Sequence, residues 1–530
     1  MRLMIPIANR LLALAAVGLC ISQPAWAETG PLFHFIERAG PHAVGVRVVE
    51  QFDYSRSFGY TTDDLGRPAK GERARPLQTL IWFPAQKSHA KPMTVLDYAN
   101  LLGTETRFGQ SWMPESAKQW LSATSPALAT ALWAVRDAPP ASGRFPVVIY
   151  APSFSAKSWE NADLCEYLAS YGYVVVASPD MGATTRNMTL DLVGINAQAR
   201  DISFLIGYAQ SLPNTDVSAV AVAGFSWGGI SNLFAAARDN RIDALIALDG
   251  SMRYWPGFVQ QAGDVHPEQM TIPLLYLAQG EFTFEDQARY LSQSQLKSPN
   301  VLNAWTHGDL VIVHMLGLTH QEFSSMFQRN EEVWKDFYDS NFSDREKADY
   351  GREDGITGYG WVARYTLHFL DAYLKHDVAA MAYLKKTSAE NGAPRHFLSV
   401  AYRAASGVAP SFNAFRAEIG RQGFDHAGDI LGAMQKGRSD FKLEEDAVNS
   451  WSEALQDANH LPEALILLKL NVQMHSDSSG VYANLGEAYQ KSGQTQLAID
   501  NYKTSLEKDP DNEGAKRKLA ELQGRASAAH

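Results

Sequence analysis

Between residues 146 and 277 the chain alternates short, continuous apolar runs with stretches suited to packed helices. The runs at 146–151, 173–178, 218–223, 244–248 and 273–277 predict buried strands, and 161–170, 195–211 and 230–238 predict helices. Apolar strands separated by helices predict a mostly parallel sheet covered on both faces, an α/β fold. Upstream, the runs AVGVRVVEQFDY and LQTLIWFPA within 40–85 predict two antiparallel strands around a polar loop. Downstream, 309–316 predicts a further strand, and 358–375 predicts the helix that closes the domain.

Two segments break this alternation. Residues 92–140 carry helical patterns at 95–102 and 115–135 and three tryptophans, Trp112, Trp120 and Trp133. They predict a helical insertion, either a lid that walls a substrate site or a piece packed on the sheet. Residues 388–410, richer in Ser, Ala, Gly and Pro, predict a linker between a domain at 28–387 and a helical tail at 411–530. Within the tail, 479–512 fits the 34-residue tetratricopeptide pattern: Tyr482, Leu485, Gly486 and Tyr489, then Ala498, Tyr502 and Ser505, then Pro510. A degenerate unit from residue 445 places Trp451, Leu455, Ala464 and Leu468 in matching positions, and 412–436 predicts a further helical pair. Repeats of this kind need about three units to bury a core, so the tail is expected to lean on the main domain or on a partner.

Charge and cysteine content narrow the setting. Residues 1–27 have a charged start, an apolar run at 11–21 and the small-residue site Ala25-Trp26-Ala27, which predicts a secretory signal peptide. Export without disulfides fits a bacterial periplasm, because removal of 1–27 leaves Cys165 as the one cysteine. The formal charge is −11, and −13 once Arg2 and Arg10 leave with the signal. An acidic chain with no long basic run is a poor candidate for binding nucleic acid or anionic membrane, and no transmembrane segment is expected.

The chemistry gathers at strand ends. GFSWGG at 224–229, between a predicted strand and a predicted helix, matches the Gly-x-Ser-x-Gly turn that lifts a serine hydroxyl above a sheet. Ser226 is the candidate nucleophile. Acyl transfer also needs a base, an acid that orients it, and amide donors for the oxyanion. In chain order Asp249 follows the strand at 244–248, and His320 follows the strand at 309–316. Glu281, Glu285 and Asp286 are rival acids, and His307 and His314 rival bases. The oxyanion donors are expected to be the backbone N–H of Trp227 and that of Phe154, which follows the strand at 146–151. With no HExxH, CxxC or Gly-Lys-Ser phosphate loop, no metal and no cofactor is expected.

GFSWGG, ALDGSM with its Asp 23 residues after Ser226, and GLTHQEF resemble the platelet-activating factor acetylhydrolase group of the α/β-hydrolases, often placed with dienelactone-hydrolase-like proteins. The resemblance spans about residues 40–375 and implies an α/β-hydrolase fold, Asp249 as triad acid, and esterase activity on short or oxidised acyl chains. This chain has Pro152-Ser153 where that family usually carries His-Gly, and Ser in place of the Cys of true dienelactone hydrolases. The expectation is a secreted, cofactor-free serine hydrolase acting on a small ester or lipid-like substrate, with a tail that docks a protein. An inactive scaffold working through its tail, and a peptidase or amidase on the same triad, are the alternatives.

Overall fold

The computed structural model describes residues 32–63, 65–109, 115–280, 300–341, 350–436 and 439–528. The signal-peptide segment 1–27, Trp112 and the rival acids Glu281, Glu285 and Asp286 lie outside the described residues.

Ten strands form one sheet in the order β10-β9-β8-β7-β6-β4-β5-β2-β1-β3. The hairpin β1 (Ala43–Ser57) and β2 (Ala74–Ala85) is antiparallel, and β2 runs antiparallel to β5 (Val174–Ala177). From β5 onward, β4 (Phe145–Ala151), β6 (Thr215–Phe225), β7 (Ala244–Leu248), β8 (Leu274–Gln279) and β9 (Leu310–Met315) are all parallel. That order is the α/β-hydrolase fold. The runs read as strands are β-branched and apolar, and β5, β7 and β8 are buried along their whole length. Pro146, which lacks an N–H, sits where the β4–β6 register shifts.

Successive strand residues feed opposite cores. Val148, Tyr150, Ala221, Ala223 and Ile246 join the core beneath the helices Ala162–Ser170 and Arg352–Leu374. Val147, Ile149, Val220, Val222 and Leu245 join that beneath Leu192–Ala209 and Trp227–Ala236. Among the described residues no helix is long and apolar enough to cross a membrane.

The insertion is built into the sheet. Its helix Glu115–Ala123 ends where Ser125 and Pro126 begin a 3-10 turn, because proline cannot continue the i−4 hydrogen-bond ladder. The helical pattern expected up to residue 135 therefore stops early, and β3 (Ala134–Arg136) pairs parallel with β1. Met93, Val95, Tyr98 and Leu132 join the core, and Trp82 Nε1 donates to Tyr98 OH at 2.7 Å.

The segment expected to be a linker also differs. It carries β10 (Leu398–Arg403), which pairs antiparallel with β9. The amides of Ala405 and Ser406 then bond to Asp309 Oδ1 and Thr306 O. Its alternating pattern, with every second residue buried or half-buried, marks an edge strand, and its small, polar composition hid that.

Beyond it stand three helix pairs: Phe412–Gln422 with Ala427–Gln435, Glu445–Asp457 with Leu461–Met474, and Ser479–Lys491 with Thr495–Lys508. The helix Glu513–Ala528 follows. This tail buries two apolar clusters of its own, one around Phe415, Ile430, Val448 and Leu467, the other around Leu468, Leu485, Ala498 and Tyr502. It does not depend on the main domain for a core.

Candidate active site

In the sheet order the chain leaves β4 for β5 on one side and returns to β6 on the other. The crevice at such a switch point is where α/β sheets hold ligands. The loops after β4 and β6 therefore face each other across it.

After β6 the backbone turns sharply at Ser226, with φ 51° and ψ −112°. For a residue with a side chain this conformation costs about 1–3 kcal/mol and persists only where the surroundings enforce it. Close approach supplies the enforcement. A Cβ on Gly228 would lie 2.0 Å from Ala151 O, and one on Gly229 would lie 2.3 Å from Gly250 Cα. The helix Trp227–Ala236 can thus start directly against the ends of β4 and β7. Ser226 N–H donates to Leu248 O at 3.0 Å, while its carbonyl oxygen accepts from Gly229 and Ser251.

His320 joins the two other residues expected of it. Its Nδ1 lies 2.6 Å from Asp249 Oδ2, and its Nε2 lies 2.9 Å from Ser226 Oγ. An ionised carboxylate can only accept, so Nδ1 carries the proton and Nε2 is left to receive one from the serine hydroxyl. Asp249 is fully buried and Ser226 nearly so, while the imidazole keeps a partly open edge. The rivals are placed elsewhere: His307 Nδ1 bonds to Ser406 O, and His314 lies within β9.

Several residues that carry no motif complete the frame. Tyr254 OH lies 2.8 and 2.9 Å from the two Asp249 carboxylate oxygens, Gln279 N–H donates to Oδ1 at 3.2 Å, and Gln279 Nε2 donates to Tyr254 OH. Burial, and then Asp249 beside it, push the Tyr254 phenol well above its ordinary range, so it stays a donor. On the histidine side, buried Glu322 accepts from Thr319 N–H, Thr319 Oγ1 and Trp334 Nε1, which fixes the turn carrying His320. Gln279 reaches Asp249 only across the sheet, whereas Glu322 caps Thr319 three residues before it and Tyr254 lies five residues after Asp249, local spacings that carry no catalytic motif.

Phe154 stands in a turn after β4 closed by Ala156 N–H to Ser153 O at 2.9 Å. Its ring packs edge-on against Trp227, with centroids 5.4 Å apart. Among the described residues the backbone N–H groups of Phe154 and Trp227 have no acceptor. Two open amides therefore lie on the two loops that meet at the elbow. Cys165, the cysteine of the described domain, is buried away in the helix Ala162–Ser170, and burial raises its thiol well above the usual range.

The family model described as chlorophyllase matches residues 116–251, a span that contains Phe154, Ser226, Trp227 and Asp249 and ends before His320. No curated protein matches the chain. Among solved structures, a ferulic acid esterase from Streptomyces cinnamoneus is similar at 18% identity and a TM-score of 0.45, covering 69% of this chain and 98% of its own.

Proposed function

We propose that this chain is a serine hydrolase that cleaves a carboxylic ester through an acyl-enzyme. The observation that carries the reading is the unbroken line from Asp249 through His320 to Ser226, with contacts of 2.6 and 2.9 Å. His320 Nε2 takes the hydroxyl proton as Ser226 Oγ bonds to the ester carbonyl carbon. The negative oxygen that develops is met by the N–H groups of Trp227 and Phe154. Asp249 stabilises the imidazolium, which gives its proton to the departing alkoxide. Water, deprotonated by the same ring, then adds to the acyl-enzyme and releases the acid and free Ser226.

The match of residues 116–251 to the chlorophyllase family model, across the elbow and Asp249, supports the hydrolase reading. A short or modified acyl chain is the substrate we infer from the resemblance in GFSWGG, ALDGSM and GLTHQEF. Export to a bacterial periplasm, and a tetratricopeptide-like tail that docks a protein, complete the proposal. The tail reading is supported by Gly486, where a Cβ would stand 3.1 Å from the Tyr502 ring, so the helices pack as closely as the repeat pattern requires.

A fluorophosphonate probe followed by peptide mapping tests this directly. Labelling of Ser226, with turnover of p-nitrophenyl esters that falls along a chain-length series, is the expected result. A wild-type protein that neither reacts with the probe nor turns over any ester or amide in a panel overturns it.

A further inference from the structure

We propose that Glu160, with Asp180, is a positioning residue that aims the Phe154 amide into the oxyanion site and ties that amide to the loop of His320. This inference rests on the serine-hydrolase reading above.

The turn Ser153–Ala156 has four backbone N–H groups, and three of them are occupied. Ser153 N–H donates to Glu160 Oε2 at 2.9 Å, Ser155 N–H donates to Asp180 Oδ2 at 2.8 Å, and Ala156 N–H closes the turn. Only the amide between the two carboxyl groups is open, and it is that of Phe154. Ser153 Oγ also donates to Glu160 Oε1, so one carboxyl group grips both hydrogen-bond donors of the same residue. Ser155 has φ 57°, a left-handed conformation that is costly for serine and that the clamp on its N–H helps to hold.

The carbonyl side of the turn is held as well. Arg186 Nη1 donates to Ser155 O at 3.2 Å and to Asp180 O at 2.8 Å, and Nη2 donates to Ala156 O at 3.2 Å. Its Nε is paired with Glu105 at 2.7 Å.

The main chain of the same residue holds the loop of His320. Glu160 O accepts Met326 N–H and Ser324 Oγ, both at 3.2 Å, and Asn161 Oδ1 accepts Ser325 N–H at 2.8 Å. Ser324 begins the helix Ser325–Arg329 four residues after His320. The dipeptide Glu160-Asn161 therefore holds the donor turn with a side chain and the base loop with a carbonyl and an amide. Displacement of one loop is transmitted to the other through two adjacent residues.

Removal of an oxyanion donor costs about 10²–10³ in kcat, so a turn left free to swing should lose part of that range. Glu160→Ala is expected to lower kcat for a p-nitrophenyl ester by about 10- to 100-fold while KM stays within about threefold. Glu160→Gln, whose Oε1 still accepts the Ser153 amide hydrogen, should return to within about threefold of wild type. Ser153→Ala removes one of the two grips and keeps the buried carboxyl, so it reads the same role if Glu160→Ala does not fold. A few-fold loss of kcat is expected from it. Folded Glu160→Ala or Ser153→Ala protein with wild-type kcat and only a lowered melting temperature would overturn the positioning role. Wild type and Ser226→Ala are measured alongside. Equal turnover by those two sinks the hydrolase reading itself, whereas an inactive Ser226→Ala beside a fully active Glu160→Ala sinks the positioning role alone.

Discussion

The carbonyl oxygen of Ser226 accepts the amide hydrogen of Ser251 at 2.7 Å. The elbow and the loop carrying Asp249 are thus joined through main chain, independently of the side chains proposed to do the chemistry. Ser226→Ala should keep that frame, melt within a few degrees of wild type, and lose about 10⁶ in kcat. Steady-state kinetics and a thermal melt on the same preparation check both halves.

Asp249 Oδ2 faces Nδ1 of His320, and Tyr254 OH lies against both oxygens of the same carboxylate. Asp249→Asn can present its NH2 to Nδ1, which favours the wrong tautomer, and should lower kcat about 10⁴-fold with a normal fold. Tyr254→Phe removes one neutral donor from the carboxylate, worth about 1 kcal/mol, and should lower kcat roughly fivefold to tenfold. An unchanged rate in Asp249→Asn would assign the acid to another residue.

The elbow tolerates no side chain at residue 228. A methyl group there would meet Ala151 O at 2.0 Å and Pro152 O at 2.8 Å, both of them backbone atoms that cannot swing aside. Gly228→Ala should cost about 3 kcal/mol or more, or give no soluble protein, whereas Ala at the open Gly432 in the tail should be neutral or stabilising. Denaturant midpoints of the two variants give the comparison.

Asp201 holds two guanidinium groups, with Arg75 Nη2 at 2.6 Å and Arg56 Nη2 at 2.7 Å. Arg75 is 1% exposed, and its other donors reach Met181 O and Gly182 O. Asp201→Ala leaves a buried cation without its carboxylate, so a loss of about 3–5 kcal/mol in urea unfolding is expected. The double variant Arg75→Met/Asp201→Ala should recover part of it.

Glu166 gives a pH signature. Burial lifts its carboxyl to about 8, although Tyr98 OH and the amides of Trp133 and Ala134 all donate to it. A folded-state value raised above the unfolded one means tighter proton binding in the native protein. Its contribution to stability is full below about 4.5 and lost as pH rises through about 8. Glu166→Gln should flatten the fall in stability between pH 5 and 8 by a few kcal/mol, because each tenfold gain in proton affinity on folding is worth about 1.4 kcal/mol. Urea titrations at several pH values compare the two slopes.

The sheet, the elbow and the three residues joined at its rim were legible in sequence because each depends on local pattern. A buried parallel strand is apolar throughout, and GFSWGG can be read without knowing what lies beside it. The order of strands then carries Asp249 and His320 to the same edge as Ser226. What stayed hidden is of two kinds. Gln279 bonds to Asp249 and Tyr254 only once β7 and β8 are adjacent. Tyr254, five residues after Asp249, and Glu322, three after Thr319, make local contacts, but their residue types at those spacings are too common to point to a site. The strand Leu398–Arg403 was missed for a related reason. An edge strand buries one face, so half its residues read as solvent-exposed polar chain. The helix expected to run to residue 135 failed at Pro126, where a local signal was present and was outweighed by the apolar periodicity around it.

The strand that completes the sheet at β9 also determines where the tail can be cut away. A truncation at residue 388 would strip β10 from one side of β9 along Leu310–Met315, leaving an open, apolar border that invites pairing between molecules. A tail-free enzyme that stays monodisperse has to retain the chain through Ser406, whose amide caps the stretch on Thr306. The helical extension and the sheet domain thus share a seam, and the shorter protein needed to ask what the extension does must end on its far side.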